Sequence, residues 1–467
     1  MNWKTIFKSL KSRDMQKRVI VVLGLIIVYR FLAHVPVPLA DPTQLRAVLE
    51  NLVNSTDLGG FINLLSGGAL ASLSIVLVGL SPYITASVIT QLLTKAIPQL
   101  EELHKDGETG RRKIQQWTRI ITVPLAILQS VAFIFILRQT VLAGNTGIDI
   151  VANTSIVQWA LMIATMTAGS ILLMWLGELI TEQGIGNGMS ILIFAGIIAG
   201  LPRMLGSLAT SLVTVTSDAD KLHIFNWVTL PINWLALVII AVIAAFGLLA
   251  LYLIVKLNEA QRVITISYAK RVQGNRAYGG VTSILPVKLI TAGVIPVIFA
   301  VAFLALPAFV GQVLRGSSDA YWHQVGTNLA TWFQAPNTTT FQSADISTLL
   351  YPGLYFALVV GFTYFYTSIV FNGTEIAENL QKQGGFIENI RSGKQTEKYL
   401  SKVVNRLTLF GASALGLLAI LPIVAQVYIN QNIAIGGTGL LIVVSVALET
   451  LRFINSRALM VTYDQDY

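Results

Sequence analysis

Apolar blocks of about twenty residues alternate with polar connections along this chain, and the positive charge gathers in every second connection. No other feature constrains the fold as tightly. A helix rises about 1.5 Å per residue, so roughly twenty apolar residues cover a hydrocarbon core about 30 Å thick. Ten such spans are predicted, at 19–35, 71–93, 120–138, 156–176, 187–205, 232–255, 286–310, 349–371, 403–425 and 437–455. With the N-terminus cytoplasmic, 26 of the 32 lysines and arginines fall on that same side. Adding or removing one span scatters them. The charge map therefore supports both the count and the orientation. Only 12% of the 467 residues are charged and 54% are hydrophobic, whereas a soluble domain is about 25% charged. The net charge of +9 reflects topology rather than nucleic-acid binding.

The first block, Val19–Ala33, runs into His34-Val-Pro-Val-Pro38 without a small-x-small cleavage site, and reads as a retained span. Ahead of it Trp3, Ile6, Phe7 and Leu10 fall at helical spacing among Lys4, Lys8 and Lys11. That pattern fits a short interfacial helix or a frayed basic tail. The outer connections 139–155, 206–231 and 311–348 are rich in Asn, Thr, Ser and Gly. Leu58–Leu70 (LGGFINLLSGGAL) is apolar, but too short to cross and weakened as a helix by four glycines. It reads either as a re-entrant or plugging element or as a packed surface loop. Span 2 carries Ser81, Thr85, Ser87, Thr90 and Gln91, which should face a protein seam or a wet cavity rather than lipid. Spans 5 and 10 both open after glycine-rich stretches, Gly184–Gly188 and Gly436–Gly439, and run in opposite directions. Two inverted five-span halves would produce that, an arrangement typical of proteins that move something across a membrane.

The missing chemistry is as informative. There is no cysteine, so no disulfide framework, Fe–S cluster or thiolate nucleophile. No P-loop, dinucleotide fingerprint, HExxH or GxSxG motif occurs, and the four histidines have no metal spacing. No cofactor is expected. The aspartates all map to connections or tails, and Glu178 and Glu449 to span ends, so no acid stands at mid-membrane, where coupled carriers usually need one. This counts against a secondary transporter, and the missing nucleophile–base motifs count against an intramembrane enzyme. The bundle offers a path without an engine, so energy would come from a docking partner. Two basic connections suit docking: 256–288, with Arg262, Lys270, Arg271 and Arg276, and 372–402, with Arg391 and Lys394. Both exceed the length a simple connection needs.

The stretches GLSPYITASVITQLL (79–93), GETGRRKIQQWTR (107–119), MWLGELITEQGIGNGMSILIFAGIIAGLP (174–202), YAKR (268–271), AGVIPVIFA (292–300), IRSGKQTEKYL (390–400), NRLTLFGA (405–412) and IGGTGLLIVV (435–444) resemble, in order, those of the SecY family, the channel-forming subunits of the bacterial Sec protein translocase. The resemblance implies an all-α polytopic membrane protein with ten transmembrane helices in two inverted five-helix halves. These would be 1–205 and 232–455, joined by an external hinge loop 206–231 and followed by a cytoplasmic tail 456–467. It implies a pore ring of Leu80, Ile84, Ile193, Ile298 and Ile442, whose apolar constriction would gate by dewetting. A plug within 58–70 would comprise Gly59, Gly60, Phe61, Ile62, Asn63, Leu64, Leu65, Ser66, Gly67 and Gly68. A lateral gate of spans 2 and 3 against 7 and 8 would include Thr85, Ser87, Gln91, Gln129, Ile290 and Thr291. Implied partners are SecE and SecG subunits, the SecA motor ATPase, a translating ribosome, signal-bearing preproteins and membrane lipid. Arg391 would be the chief docking contact. The implied setting is the bacterial cytoplasmic membrane with both termini cytoplasmic, and no enzymatic activity. The sequence departs from the family pattern at Ile290, where many relatives have Asn, and at Ser392, where many have Pro. The second change should leave the backbone at Arg391 less fixed.

Overall fold

Each predicted span holds one helix. Spans 1 to 9 are Arg13–Leu32, Ser81–Ala96, Glu108–Ala143, Ile156–Glu182, Gly188–Val213, Trp234–Glu259, Ile295–Arg315, Ile346–Val370 and Lys394–Tyr428, and span 10 is helical over 442–454. The structure, a computed structural model, describes residues 13–37, 74–143, 155–213, 221–224, 228–268, 271–273, 276–278, 282–293, 295–317, 319–333, 346–428, 439 and 442–454. The plug segment 58–70, the N-terminal stretch 1–12 and Lys270 lie outside the described residues. Among the described residues, six helices are long and apolar enough to cross a membrane by length and composition, in spans 3, 4, 6, 7, 8 and 9. Two of the other four have visible reasons to differ. Span 1 carries Lys17, Arg18 and Arg30. Span 2 is 16 residues long. In span 5 the helix Gly188–Val213 holds an apolar stretch over Gly188–Pro202 among the described residues.

Two span helices start well after the sequence expectation. Span 2 becomes helical only at Ser81, not at 71. Gly79 takes a left-handed φ of 65°, and Pro82, in the first turn, starts a helix without needing an upstream carbonyl. The seven residues before Ser81 form turns pinned to the end of span 1. There Ile75 N donates to Val35 O (2.9 Å) and Ser74 Oγ to Leu32 O (2.8 Å). Span 7 begins at Ile295, not 286, because Thr282–Lys288 is a strand and Gly293 turns the chain at φ 63°. Spans 3 and 9 begin well before their apolar blocks, at Glu108 and Lys394.

The two basic connections, expected as loops, are folded. Strands β1 (Lys221–Ile224) and β2 (Val228–Asn233) pair in the connection between spans 5 and 6. After span 6, β3 (Gln261–Tyr268) pairs antiparallel with β6 (Thr282–Lys288), from Gln261 opposite Lys288 to Ser267 opposite Thr282. Between them β4 (Arg271–Gln273) pairs with β5 (Arg276–Tyr278). The second connection then joins the first: β7 (Gly385–Phe386) pairs with β3 through Ser267–Phe386 and Tyr268–Gly385. Beneath the sheet lies an apolar cluster of Ile264, Val287, Ile387, Leu400, Val403 and Val404. A separate and larger core runs through the membrane bundle, with residues from spans 1, 2, 4, 5, 6, 7, 8, 9 and 10.

Candidate pore waist, seam and docking platform

Leu80 precedes span 2 by one residue, and Ile84 stands in its first turn. Ile193, Ile298 and Ile442 come from spans 5, 7 and 10. Nothing in the linear sequence joins them. In the folded chain all five belong to one contiguous apolar cluster, and none is more than 8% exposed. They carry no hydrogen-bonding side-chain atom, so only packing and water exclusion hold them together. An apolar cluster of this kind excludes water without committing any directional bond.

Around this cluster the structure brings spans 2, 3, 7 and 8 into a closed seam. Span 7 packs on spans 2, 3 and 8. Ala132, Phe133 and Ile134 of span 3 meet Ala305 and Phe309 of span 7 in a second cluster. Phe299 of span 7 makes edge-on ring contacts with Phe362 and Tyr366 of span 8. The polar residues are buried in these same elements. Ser81 Oγ, Thr85 Oγ1, Gln91 Oε1, Gln129 Oε1 and Thr367 Oγ1 are all buried without a hydrogen-bond partner. Each such atom costs about 1–3 kcal/mol of desolvation. Gln91 keeps one contact, Nε2 donating to Ser87 Oγ at 3.0 Å. A seam with unpaired polar atoms is held less firmly than an all-apolar one. Ile290 and Thr291 precede the span 7 helix; Ile290 is buried in the bundle cluster and packs near Gly411 of span 9. A Cβ on Gly411 would lie 2.5 Å from Leu289 O and 3.5 Å from Ile290 Cγ1.

On the basic side, Arg262 is exposed on β3, and Arg271 and Arg276 lie on paired strands β4 and β5. Arg391 and Lys394 are exposed where the second connection turns into span 9. That turn is tight: Asn389 takes φ 62° and Gly393 φ 90°. Buried Ile387 anchors it below, with Ile390 N donating to Ile387 O at 3.0 Å. Thr396 Oγ1 donates to Arg391 O at 3.0 Å, so the backbone at Arg391 is held without a following proline. At the hairpin's foot, burial pulls the Lys288 ammonium below its usual value, Arg452 lowers it further, and Glu449 opposes both. Sequence reading missed this platform because it weighed charge and length. The available signal was the β-branched run Val263-Ile-Thr-Ile266, which favours strand over loop.

The SecY family model matches residues 74–451. The chain belongs to the SecY family. A protein translocase subunit SecY of Streptomyces scabiei is 40% identical over 461 residues, covering 98% of each chain. A solved structure described as a protein conducting channel superposes with a TM-score of 0.60 at 18% identity, covering 93% of this chain and 90% of that one. Sec61 in the canine ribosome–channel complex from the endoplasmic reticulum superposes with a TM-score of 0.55 at 18% identity, covering 93% and 90%. The fold is therefore the SecY-type helical channel fold, and the chain is a multi-pass membrane protein. The small sheet is an addition to an otherwise α-helical architecture.

Proposed function

We propose that this chain forms the protein-conducting pore of a Sec translocase. It passes unfolded, signal-bearing polypeptides across the membrane and releases hydrophobic segments sideways into lipid. The burial of Leu80, Ile84, Ile193, Ile298 and Ile442 in one cluster carries this reading. Five aliphatic side chains from four separate spans, with no directional bond among them, make a seal that a chain of any sequence can part. Segment 58–70, Gly59 to Gly68 included, acts as the plug on the outer side. Spans 2 and 3 part from spans 7 and 8 as the lateral gate. The unpaired polar atoms of Thr85, Gln91 and Gln129 support that, since they weaken the closed seam. The halves 1–205 and 232–455 move about the 206–231 hinge.

The pore is passive and not an enzyme. Power comes from SecA or a translating ribosome docking on Arg262, Lys270, Arg271, Arg276, Arg391 and Lys394. SecE and SecG complete the complex, in a bacterial inner membrane with both termini cytoplasmic. The test is reconstitution in liposomes with SecE and SecG, followed by SecA, ATP and a signal-bearing preprotein. The preprotein should become protease-protected. Failure with an authentic partner set overturns the reading.

A further inference from the structure

A buried polar contact set joins the cytoplasmic hairpin to span 10. Asn258, next to the last residue of the span 6 helix, is 7% exposed. Its Nδ2 donates to Ser445 Oγ at 3.1 Å, and its backbone carbonyl oxygen accepts from Arg452 Nη2 at 2.6 Å. Both partners lie on span 10, about two helical turns apart. Side chains on a helix lean toward its N-terminus, so Arg452 reaches back along span 10 to the same asparagine that Ser445 contacts. One residue of span 6 thus grips span 10 at two points.

The two ends of this grip lead to different parts of the molecule. Two residues past Asn258, the Ala260 carbonyl accepts from Leu289 N at 2.9 Å, and Gln261 stands opposite Lys288 at the foot of the β3–β6 hairpin. In the other direction, Ser445 is one turn along span 10 from Ile442, which packs in the waist cluster with Ile254 of span 6. The same end of span 10 also meets the N-terminal half: a Cβ on Gly186, in the turn between spans 4 and 5, would lie 3.6 Å from Thr450 Oγ1. Hydrophobic contacts alone would let span 10 slide. Two directional bonds to one residue set its height against the hairpin.

We propose that Asn258 is a positioning residue whose side-chain bond to Ser445 transmits movement of the cytoplasmic hairpin to Ile442; the Arg452 bond is made to the backbone carbonyl and is kept when the side chain is removed. Calling Ile442 a waist residue rests on the channel reading, but the coupling can be measured without transport. The chain has no cysteine, so the I442C variant carries a single thiol whose reaction with a water-soluble maleimide reports its burial. The hairpin is perturbed by replacing residues 269–281 with two glycines. In the I442C background this replacement should change the labelling rate about fivefold, the size expected of a coupled site. In I442C with Asn258→Ala the same replacement should leave the rate nearly unchanged. Ser445→Ala should act like Asn258→Ala and also serves if the asparagine variant fails to fold, while Ser445→Thr, which keeps the hydroxyl, should retain the response. A merely structural asparagine would shift the starting rate but leave the response intact. An equal response with and without Asn258, or no response in the I442C background, overturns the proposal. Either result leaves the channel reading to be judged by transport alone.

Discussion

The aliphatic cluster proposed as the waist and the basic strand platform are both assembled from residues far apart in sequence, yet different forces hold them. At the proposed waist, aliphatic side chains of spans 2, 5, 7 and 10 lie in one apolar cluster and carry no hydrogen-bonding atom. At the platform, backbone ladders fix β3 against β6 and β7 in a defined register. Packing is non-directional, so helices at the waist can separate and close again without matching donors to acceptors. A strand ladder cannot slip by one residue without turning its buried face outward. The contrast suits a part that yields and a part that is gripped.

The largest effect should come from weakening the platform beneath its strands. Ile264→Ala removes a buried side chain from the cluster of Val287, Ile387 and Leu400, at a cost of about 2–5 kcal/mol. Hydrogen exchange should rise in β3 and β7 while the spans keep their protection. Equal loss of protection in the spans would break the distinction between the two regions.

At the waist, Ile298→Asn or Ile442→Asn buries an amide where no partner stands, which disfavours the closed state by about 1–3 kcal/mol. Reconstituted protein should then admit preproteins with defective signal sequences. Variants as strict as the parent would remove these residues from the constriction.

Next in size, Arg391→Glu reverses an exposed charge on a turn anchored by Ile387 and Thr396. Motor- or ribosome-driven transport should fall about tenfold while membrane insertion of the chain stays normal. Unchanged transport would take Arg391 out of the docking surface.

The smallest effect concerns pH. The five candidate waist residues have no titratable group, whereas His104 lies on the short helix Pro98–Lys105. Burial first, then Arg111 and Lys95, lower it from 6.5. The fold therefore favours neutral His104, and this contribution is present above 6.5 and shrinks as the pH falls below it. Melting of the detergent-solubilised protein at about pH 7.5 and about pH 5.5 should show a slightly smaller drop for His104→Asn than for the parent. An identical drop would remove His104 as a contributor.

Much of this was legible in the chain. Hydrophobic period and charge placement predicted ten spans, because a span must satisfy its own backbone within one segment. The starts that fell late were governed by single backbone angles. Gly79 and Gly293 turn the chain where hydropathy alone runs on, so span 2 starts at Ser81 and span 7 at Ile295. Ile290, expected within a gate helix, consequently stands before it. The aliphatic ring could be named from family motifs, but in composition each member is one more apolar residue in an apolar helix.

The sequence by itself determined the membrane setting, the number of spans, the sidedness of charge and the absence of thiol or metal-spaced chemistry. Those properties are local or additive, and neighbours in the chain decide them. The tertiary structure alone decided that Leu80, Ile84, Ile193, Ile298 and Ile442 share one cluster, that Phe386 extends a strand 119 residues upstream through Ser267, and that Asn258 grips Ser445 and Arg452. These depend on which faces of distant helices and strands meet. Side-chain packing and hydrogen-bond geometry in three dimensions set that, and no residue carries it alone.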